Sequence, residues 1–469
     1  MRLLRMNIRE FLVRIQPIRM QETVRLAWPI AVSMLSYTLM GVADTLFVAR
    51  MGTEAIAAIG MSISVTFLVL SFGMGIMAGL KVAVAQAMGA RQFVLVRRLL
   101  WQGLWLALLL GIVGVMLVPA GALIFGWMGA SPQTSEHARA YFEVRIAATP
   151  ILFGSLAAKS WFEGRGDTRT PMHANVWANL MNIALDPILI FGWGVIPQMG
   201  MRGAAIATVV SQVLSLLWLL IAARRELSNS RARVEATLVR RIIRLGAPLG
   251  VSRALDVGAW VVFTAVLARI GDAHLAAHVL AIRIIGISFL PGFAIGEASS
   301  VLVGQAVGAR QWLGARQAWW SATVLASALM LGWAIVFVLA PRLLLVPFAP
   351  QPDVARIAAT LLMIGAAFQV FDAIAMVSYS SLSGAGDTRF VMFTSIAGAW
   401  LVNVPVALFS LHMDWGAVGA WLGITLEIAV LAFLNVWRIR SGRWLDFAMA
   451  TAQSDASRAE KNALVRKAS

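Results

Sequence analysis

The chain reads as an all-α membrane protein, twelve transmembrane helices in two pseudo-symmetric six-helix bundles. Three observations predict this. First, 60% of its 469 residues are hydrophobic and only 13% are charged, a balance foreign to water-soluble domains. Second, the apolar residues fall in runs long enough to cross a ~30 Å hydrocarbon core, which needs about 20 residues each. Third, the first half of the chain returns in the second. "RLAWPIAVS" (Arg25 to Ser33) comes back as "RLGAPLGVS" (Arg244 to Ser252), and "VAQAMGARQ" (Val84 to Gln92) as "VGQAVGARQ" (Val303 to Gln311). "EGRGDTR" (Glu163 to Arg169) comes back as "SGAGDTR" (Ser383 to Arg389). Self-similarity over so long a period marks a duplicated structural unit. In a membrane chain, paired halves usually enclose a substrate path at their interface.

The expected order begins with a basic N-terminal segment, residues 1–24. An N-lobe at 25–223 follows, with spans at 25–50, 55–80, 95–128, 138–162, 171–193 and 203–223. A basic linker at 224–240 leads to a C-lobe at 241–438, with spans at 241–270, 275–303, 314–346, 355–382, 389–411 and 417–438. A polar tail of mixed charge, 439–469, ends the chain. The spans are read as helices because backbone groups exposed to lipid must be satisfied within the segment, and the alternation of a β-barrel is absent.

Net charge is +17, but this does not point to nucleic acid. The basic residues sit in short loops between apolar runs, as cytoplasmic loops require. The even-to-odd connections are basic ("GARQFVLVRR", "EGRGDTRT", "GARQWLGAR"), while "MGTEA" and "GDAH" on the other side are not. Arg2, Arg5, Arg9, Arg14 and Arg19, with the linker, share the basic side. Both termini are therefore expected in the cytoplasm. The Arg-rich start lacks a short apolar core with a cleavage site, so no removed signal is expected. Cysteine is absent, which excludes disulfides and thiolate metal sites.

An Asp at the bilayer centre costs about 2.5–3.5 kcal/mol on insertion scales, so intramembrane carboxylates mark function by default. Asp44 in the first span and Asp186 in the fifth lie toward the outer ends of two helices that run the same way, at similar depth. Asn175, Asn179, Asn182 and Asp186 fall within a ~60° arc of one helix, and Pro187 frees backbone carbonyls beside them. Such a stripe faces protein or a wet cavity. The plainer reading of the Asn residues is helix-to-helix hydrogen bonding. In the second half, Asp256 and Asp372 lie near mid-span. Gln369, Asp372 and Tyr379 share one side of their helix. Arg253 stands three residues before Asp256, a spacing that permits an intrahelical ion pair and a merely structural site.

Other polar residues carry less. Lys81, Lys159 and Glu163, near cytoplasmic ends, are expected to snorkel. Arg283 and Glu297 have no evident partner. His274 and His278 have the spacing of a metal pair but no HExxH signature, and no metal or cofactor is expected. The GxG fragments lie between helices rather than after a strand, so no nucleotide fold is supported.

In order, spacing and duplication the chain resembles the multidrug and toxic compound extrusion (MATE) transporters over roughly residues 22–440. The resemblance rests on "VADTLFVARMG" (Val42 to Gly52), "AQAMGARQ" and its repeat, "GRGDTRTP" (Gly164 to Pro171), "NIALDPILIFG" (Asn182 to Gly192), "GAAIAT" (Gly203 to Thr208) and "SLSGAGDTR" (Ser381 to Arg389). It implies two six-helix bundles around a V-shaped cavity, in a bacterial cytoplasmic (inner) membrane. It also implies a monomer that expels amphipathic, mainly cationic compounds in antiport with H⁺ or Na⁺. The family's first-lobe acid matches Asp44, and its partners on helices 5 and 6 match Asn182, Asp186 and Thr208. Its NorM-like second-lobe acids match Asp256, where the family often has Glu, and Asp372. The DinF-like branch emphasises the first-lobe pair. This chain carries both sets, so transient Na⁺ is possible at either. Carboxylates that hold a proton, a sodium ion or an organic cation, but not two at once, give antiport when access alternates. A lipid-linked oligosaccharide flippase is the alternative. It would favour cationic cavity residues, and Arg253 and Arg283 keep it open. An intramembrane hydrolase is disfavoured because the acids are spread over separate helices.

Overall fold

A computed structural model of the chain describes residues 17–129 and 131–445. The arginines before residue 17 and the tail beyond residue 445 lie outside the described residues. Among those described, the structure is helical apart from an isolated bridge between Trp193 and Ile196.

In chain order the helices are α1 (Pro17–Ala49), α2 (Thr53–Gly89), α3 (Phe93–Val115), α4 (Ala120–Trp127), α5 (Pro132–Ala147), α6 (Thr149–Gly164), α7 (Arg169–Phe191), α8 (Gly200–Ala222) and α9 (Arg224–Ser228). The second half contains α10 (Ala236–Ile270), α11 (Asp272–Gly308), α12 (Trp312–Leu339), α13 (Pro341–Leu345), α14 (Pro352–Ala385), α15 (Thr388–Ala397), α16 (Val404–His412) and α17 (Gly416–Ser441). A π-helical turn, Gly398–Asn403, joins α15 to α16. The duplication is visible in lengths. The repeat-equivalent helices α2 and α11 each have 37 residues. The loop residues Arg91 and Arg310, equivalent in the repeat, both take φ +56°.

Eleven segments are each long and apolar enough to cross a membrane. The remaining expected span, 138–162, is built from two helices, α5 and α6, that part at Ala148. The cause is Pro150, which has no N–H to give the Ile146 carbonyl. The hydroxyl of Thr149 stands in for it, 2.7 Å from that carbonyl and 2.9 Å from the carbonyl of Gly111 on α3. Two spans also end earlier than their apolar runs suggest. The third stops at Val115 rather than 128, and the ninth at Leu339 rather than 346. Pro119 stands just ahead of the short helix α4 and Pro341 opens the short helix α13, so the remaining apolar residues turn off instead of extending the span.

The chain forms two compact units. Among the described residues, one comprises Trp28–Met88 and Gln92–Gly258; the other comprises 17–27, Gly89–Arg91 and 259–445. In the first unit, α2 and the start of α10 cross backbone to backbone. Gly75 and Gly79 face Gly250 and Gly246, and a Cβ on Gly75 would sit 2.3 Å from the Gly250 Cα. This is a small-xxx-small pair on both helices, the usual device where lipid gives no hydrophobic drive to association. The linker lies against α3. Arg98 forms a two-pronged ion pair with Glu235. Gln102 donates to the Arg233 carbonyl at 2.9 Å and accepts from the Glu235 N–H at 2.8 Å. Trp101 and Trp105 donate to the carbonyls of Leu227 and Ala232.

In the second unit, α11, α12, α14 and α17 pack around Phe263, Phe337, Phe368 and Trp421. Ser299 and Ser381 share a hydrogen bond of 2.7 Å across α11 and α14.

The repeated "GDTR" proves structural in both units. Gly166 and Gly386 take the left-handed conformation that ends a helix. Asp167 accepts from the Thr170 N–H and hydroxyl at the start of α7, while Asp387 pairs with Arg438 at 2.7 Å.

Candidate functional site

The first unit gathers polar side chains from four helices. α1 supplies Ser36 and Asp44, α5 Tyr141 and Arg145, α7 the Asn stripe with Asp186, and α8 Thr208. Asp186 and Asn182 are fully buried, and Asp44, Asn179 and Thr208 nearly so. They can meet because α7 and α8 run unusually close. A Cβ on Gly203 would lie 2.3 Å from the Leu189 carbonyl oxygen, so only glycine fits there, one turn before Thr208.

Oriented with its nitrogen toward the acid, the Asn182 amide donates to Asp44 Oδ1 at 2.8 Å. Its oxygen then accepts from the Thr208 N–H at 3.2 Å. Asn179 donates to Ser36 Oγ at 2.8 Å. Asn175 turns instead to Ser215 on α8, at 3.5 Å. The stripe thus does both things considered for it: part joins helices, and part reaches the acid.

The Asp44 and Asp186 carboxyls meet directly. No N–H or hydroxyl group outside the pair donates to either oxygen of Asp186. Two adjacent carboxylates repel when both are ionised, and a proton held between them relieves that repulsion.

Two contributors escaped the sequence reading. The Tyr141 hydroxyl bonds with Thr208. Arg145, one turn on from Tyr141 along α5, places its charge within reach of both Asp44 and Tyr141. Its buried Nη1 has no acceptor. A signal existed. Within the expected span 138–162, Arg145 stands as far from the outer end as Asp186 does in its own span.

The second-half acids are built differently. Ser252 Oγ donates to Asp256 Oδ2 at 3.4 Å, both on α10. On α14, Gln369 and Asp372 are buried and Tyr379 is half-buried. Gln369 donates to Ser288 on α11 at 2.8 Å, leaving its own Oε1 without a donor, and Asp372 Oδ2 also lacks one.

The imidazoles of His274 and His278 serve packing against α17. The first accepts from the Ala417 N–H at 3.1 Å and the second from the Trp421 indole at 3.2 Å. Lys81 and Glu163, expected to snorkel, are both buried. Glu163 lies 3.7 Å from Lys159. The reason is the tight seating of α6 on α2, where a Cβ on Gly164 would sit 2.7 Å from the Lys81 carbonyl oxygen.

Residues 29–188 and 248–409, one stretch from each half, match the MatE family. The chain belongs to that family. As a MatE protein it is a multi-pass membrane transporter and not an enzyme. Its curated relatives include a probable multidrug resistance protein NorM from Bradyrhizobium diazoefficiens. That protein is 31% identical over 431 residues, covering 89% of this chain and 92% of the relative. Another is a multidrug resistance protein NorM from Burkholderia vietnamiensis, 29% identical over 89% of this chain and 93% of that one. Among solved structures, an outward-facing multidrug resistance MATE transporter of the MOP superfamily superposes with a TM-score of 0.84. It is 24% identical, over 90% of this chain and 96% of that chain. A MATE protein in a bent conformation gives the same TM-score over 94% and 98%. These structures establish the shared fold.

Proposed function

We propose that this MatE protein is a secondary multidrug efflux transporter of the cytoplasmic membrane, with both termini in the cytoplasm. It exchanges amphipathic, mainly cationic organic compounds for protons by alternating access. The observation that carries the reading is the buried pairing of Asp44 with Asp186, where a proton held between the carboxyls would relieve their repulsion. Asn182, Thr208 and Asn179 hold the pair in place. When the proton leaves, the bared carboxylates present negative charge to a cation, and one occupant excludes the other. Asp256, Gln369, Asp372 and Tyr379 are proposed as a second set of contacts for the organic compound.

The test is uptake of tetraphenylphosphonium into proteoliposomes under separately imposed pH and Na⁺ gradients. A pH gradient should drive uptake. Asp44→Asn and Asp186→Asn, reconstituted at equal abundance, should each abolish it. Transport driven by Na⁺ alone would replace the proton as coupling ion, and full activity in both variants would remove the pair from coupling.

A further inference from the structure

The first-lobe cluster contains loose ends. Arg145 Nη1 is a buried donor with no acceptor, and the buried Asp186 Oδ1 and Oδ2 have no donor from outside the carboxyl pair. Buried polar groups without partners are rare and ask for a reason. The guanidinium acts on the charge of Asp44, the acid paired with Asp186. Arg145 sits three residues before the α5–α6 break at Ala148, where the backbone is least regular.

The charge count of the cluster is short. The residues facing it are Tyr37 and Asp44 on α1, Tyr141 and Arg145 on α5, Asp186 on α7 and Thr208 on α8. The phenols and hydroxyls are neutral. Arg139 and Glu143, the other charges near this stretch of α5, pair with each other at 2.5 Å. His173 on α7 and Arg202 on α8 are exposed. With one proton shared between the carboxyls, two acids, one proton and one guanidinium sum to zero. Without it the cluster is singly negative.

We propose that Arg145 is a tethered cation that sets this charge, so that the protonated site is neutral and rejects organic cations while the deprotonated site accepts a single one. The inference rests on the proton-antiport reading above. When the proton leaves, the guanidinium charge that acts on Asp44 keeps two adjacent carboxylates from standing without a counter-charge. The remaining single negative charge is what a monovalent substrate meets. Without the guanidinium, the protonated pair would keep a negative charge and hold the cation without giving up its proton. Exchange would then slip. Arg145 is a positioning and charge-setting residue, and it need not touch the substrate.

The test measures proton release on tetraphenylphosphonium binding to the purified full-length protein, by calorimetry in buffers of different ionisation enthalpy. Affinity is followed against pH. One-for-one competition makes affinity fall about tenfold per pH unit below neutrality. The wild type is expected to show this slope and to release one proton per cation bound. Arg145→Gln should lose most of the release and flatten the slope to about threefold or less per unit. Arg145→Lys, which keeps the charge and changes the shape, should behave like wild type. A purely structural Arg145 would change thermal stability in both variants and leave the proton count alone. Wild-type release and slope in Arg145→Gln would overturn the proposal while leaving proton antiport standing. Absence of release in the wild type itself would overturn antiport first. If Arg145→Gln does not accumulate, Arg145→Lys decides alone, since loss of its proton release would refute a role carried by charge.

Discussion

Asp372 is the residue on which the proposed second set of ligand contacts can be tested most directly. It is buried, one of its oxygens has no donor, and the neighbouring Gln369 spends its amide on Ser288 instead. An ionised carboxylate left so would cost several kcal/mol, which a bound cation would offset. Asp372→Asn removes the charge at constant size. It should weaken binding of a cationic dye by about tenfold, the worth of roughly 1.4 kcal/mol, and leave a neutral dye of similar shape unaffected. Titration of both dyes at matched protein abundance checks this, and parallel losses would mean that the residue supports the fold rather than the ligand. The residue scale is also where the sequence was read best and worst. Asp44, Asn182 and Asp186 stood out because a carboxylate or amide inside an apolar run has no cheap explanation, whereas Thr208 was named only through the family resemblance. Arg145 and Tyr141 were missed because the run carrying them also held Arg139 and Glu143, whose pairing makes the whole stretch look like a polar loop edge. Which Asn residues reach the acid and which join helices was beyond sequence, since all share a single helix face.

At the scale of elements, spans were legible wherever one apolar run makes one helix. They failed where proline divides a run. The α5–α6 break, α4 and α13 all follow from missing N–H groups that hydropathy cannot see. The crossing of α2 and α10 was not foreseen either, although Gly75, Gly79, Gly246 and Gly250 are plain in the sequence. Pairs of glycines four apart occur by chance in a chain this rich in glycine, and only the contact shows which ones matter. Because a Gly250 Cβ would meet the Phe72 carbonyl oxygen at 2.5 Å, Gly250→Leu must push the two helices apart. The expected outcome is a loss of several degrees in thermal unfolding and reduced membrane abundance, from overpacking of about 1–3 kcal/mol or more. Gly286, whose Cβ would meet nothing within 4 Å, supplies the control. Gly286→Ala should leave both measurements unchanged.

For the whole molecule, the duplication told more than any single motif, because it showed that the apolar runs fall into two equivalent sets. Orientation follows from charge. The linker carries the densest basic run and is held along α3 by Arg98 with Glu235 and by Gln102, so whichever side that end of α3 faces, the linker faces too. Both are expected in the cytoplasm. Asn229→Cys introduces the sole thiol of a Cys-free chain. It should resist an impermeant maleimide added to intact cells and react once the membrane is opened. Labelling from outside would invert the topology.

Arg91 and Arg310 carry a consequence for redesign. Each occupies a left-handed backbone conformation, φ +56°, at the tip of an equivalent loop. A side chain there costs roughly 1–2 kcal/mol that glycine would not incur. Both side chains are exposed, so neither is held by packing that would compensate. A stability-driven redesign would therefore choose glycine at both positions first, and would strip two positive charges from loops whose charge is what holds them back from crossing the bilayer. If these loops face the cytoplasm as their charge predicts, the more stable loop and the correctly threaded one are competing goals in both halves.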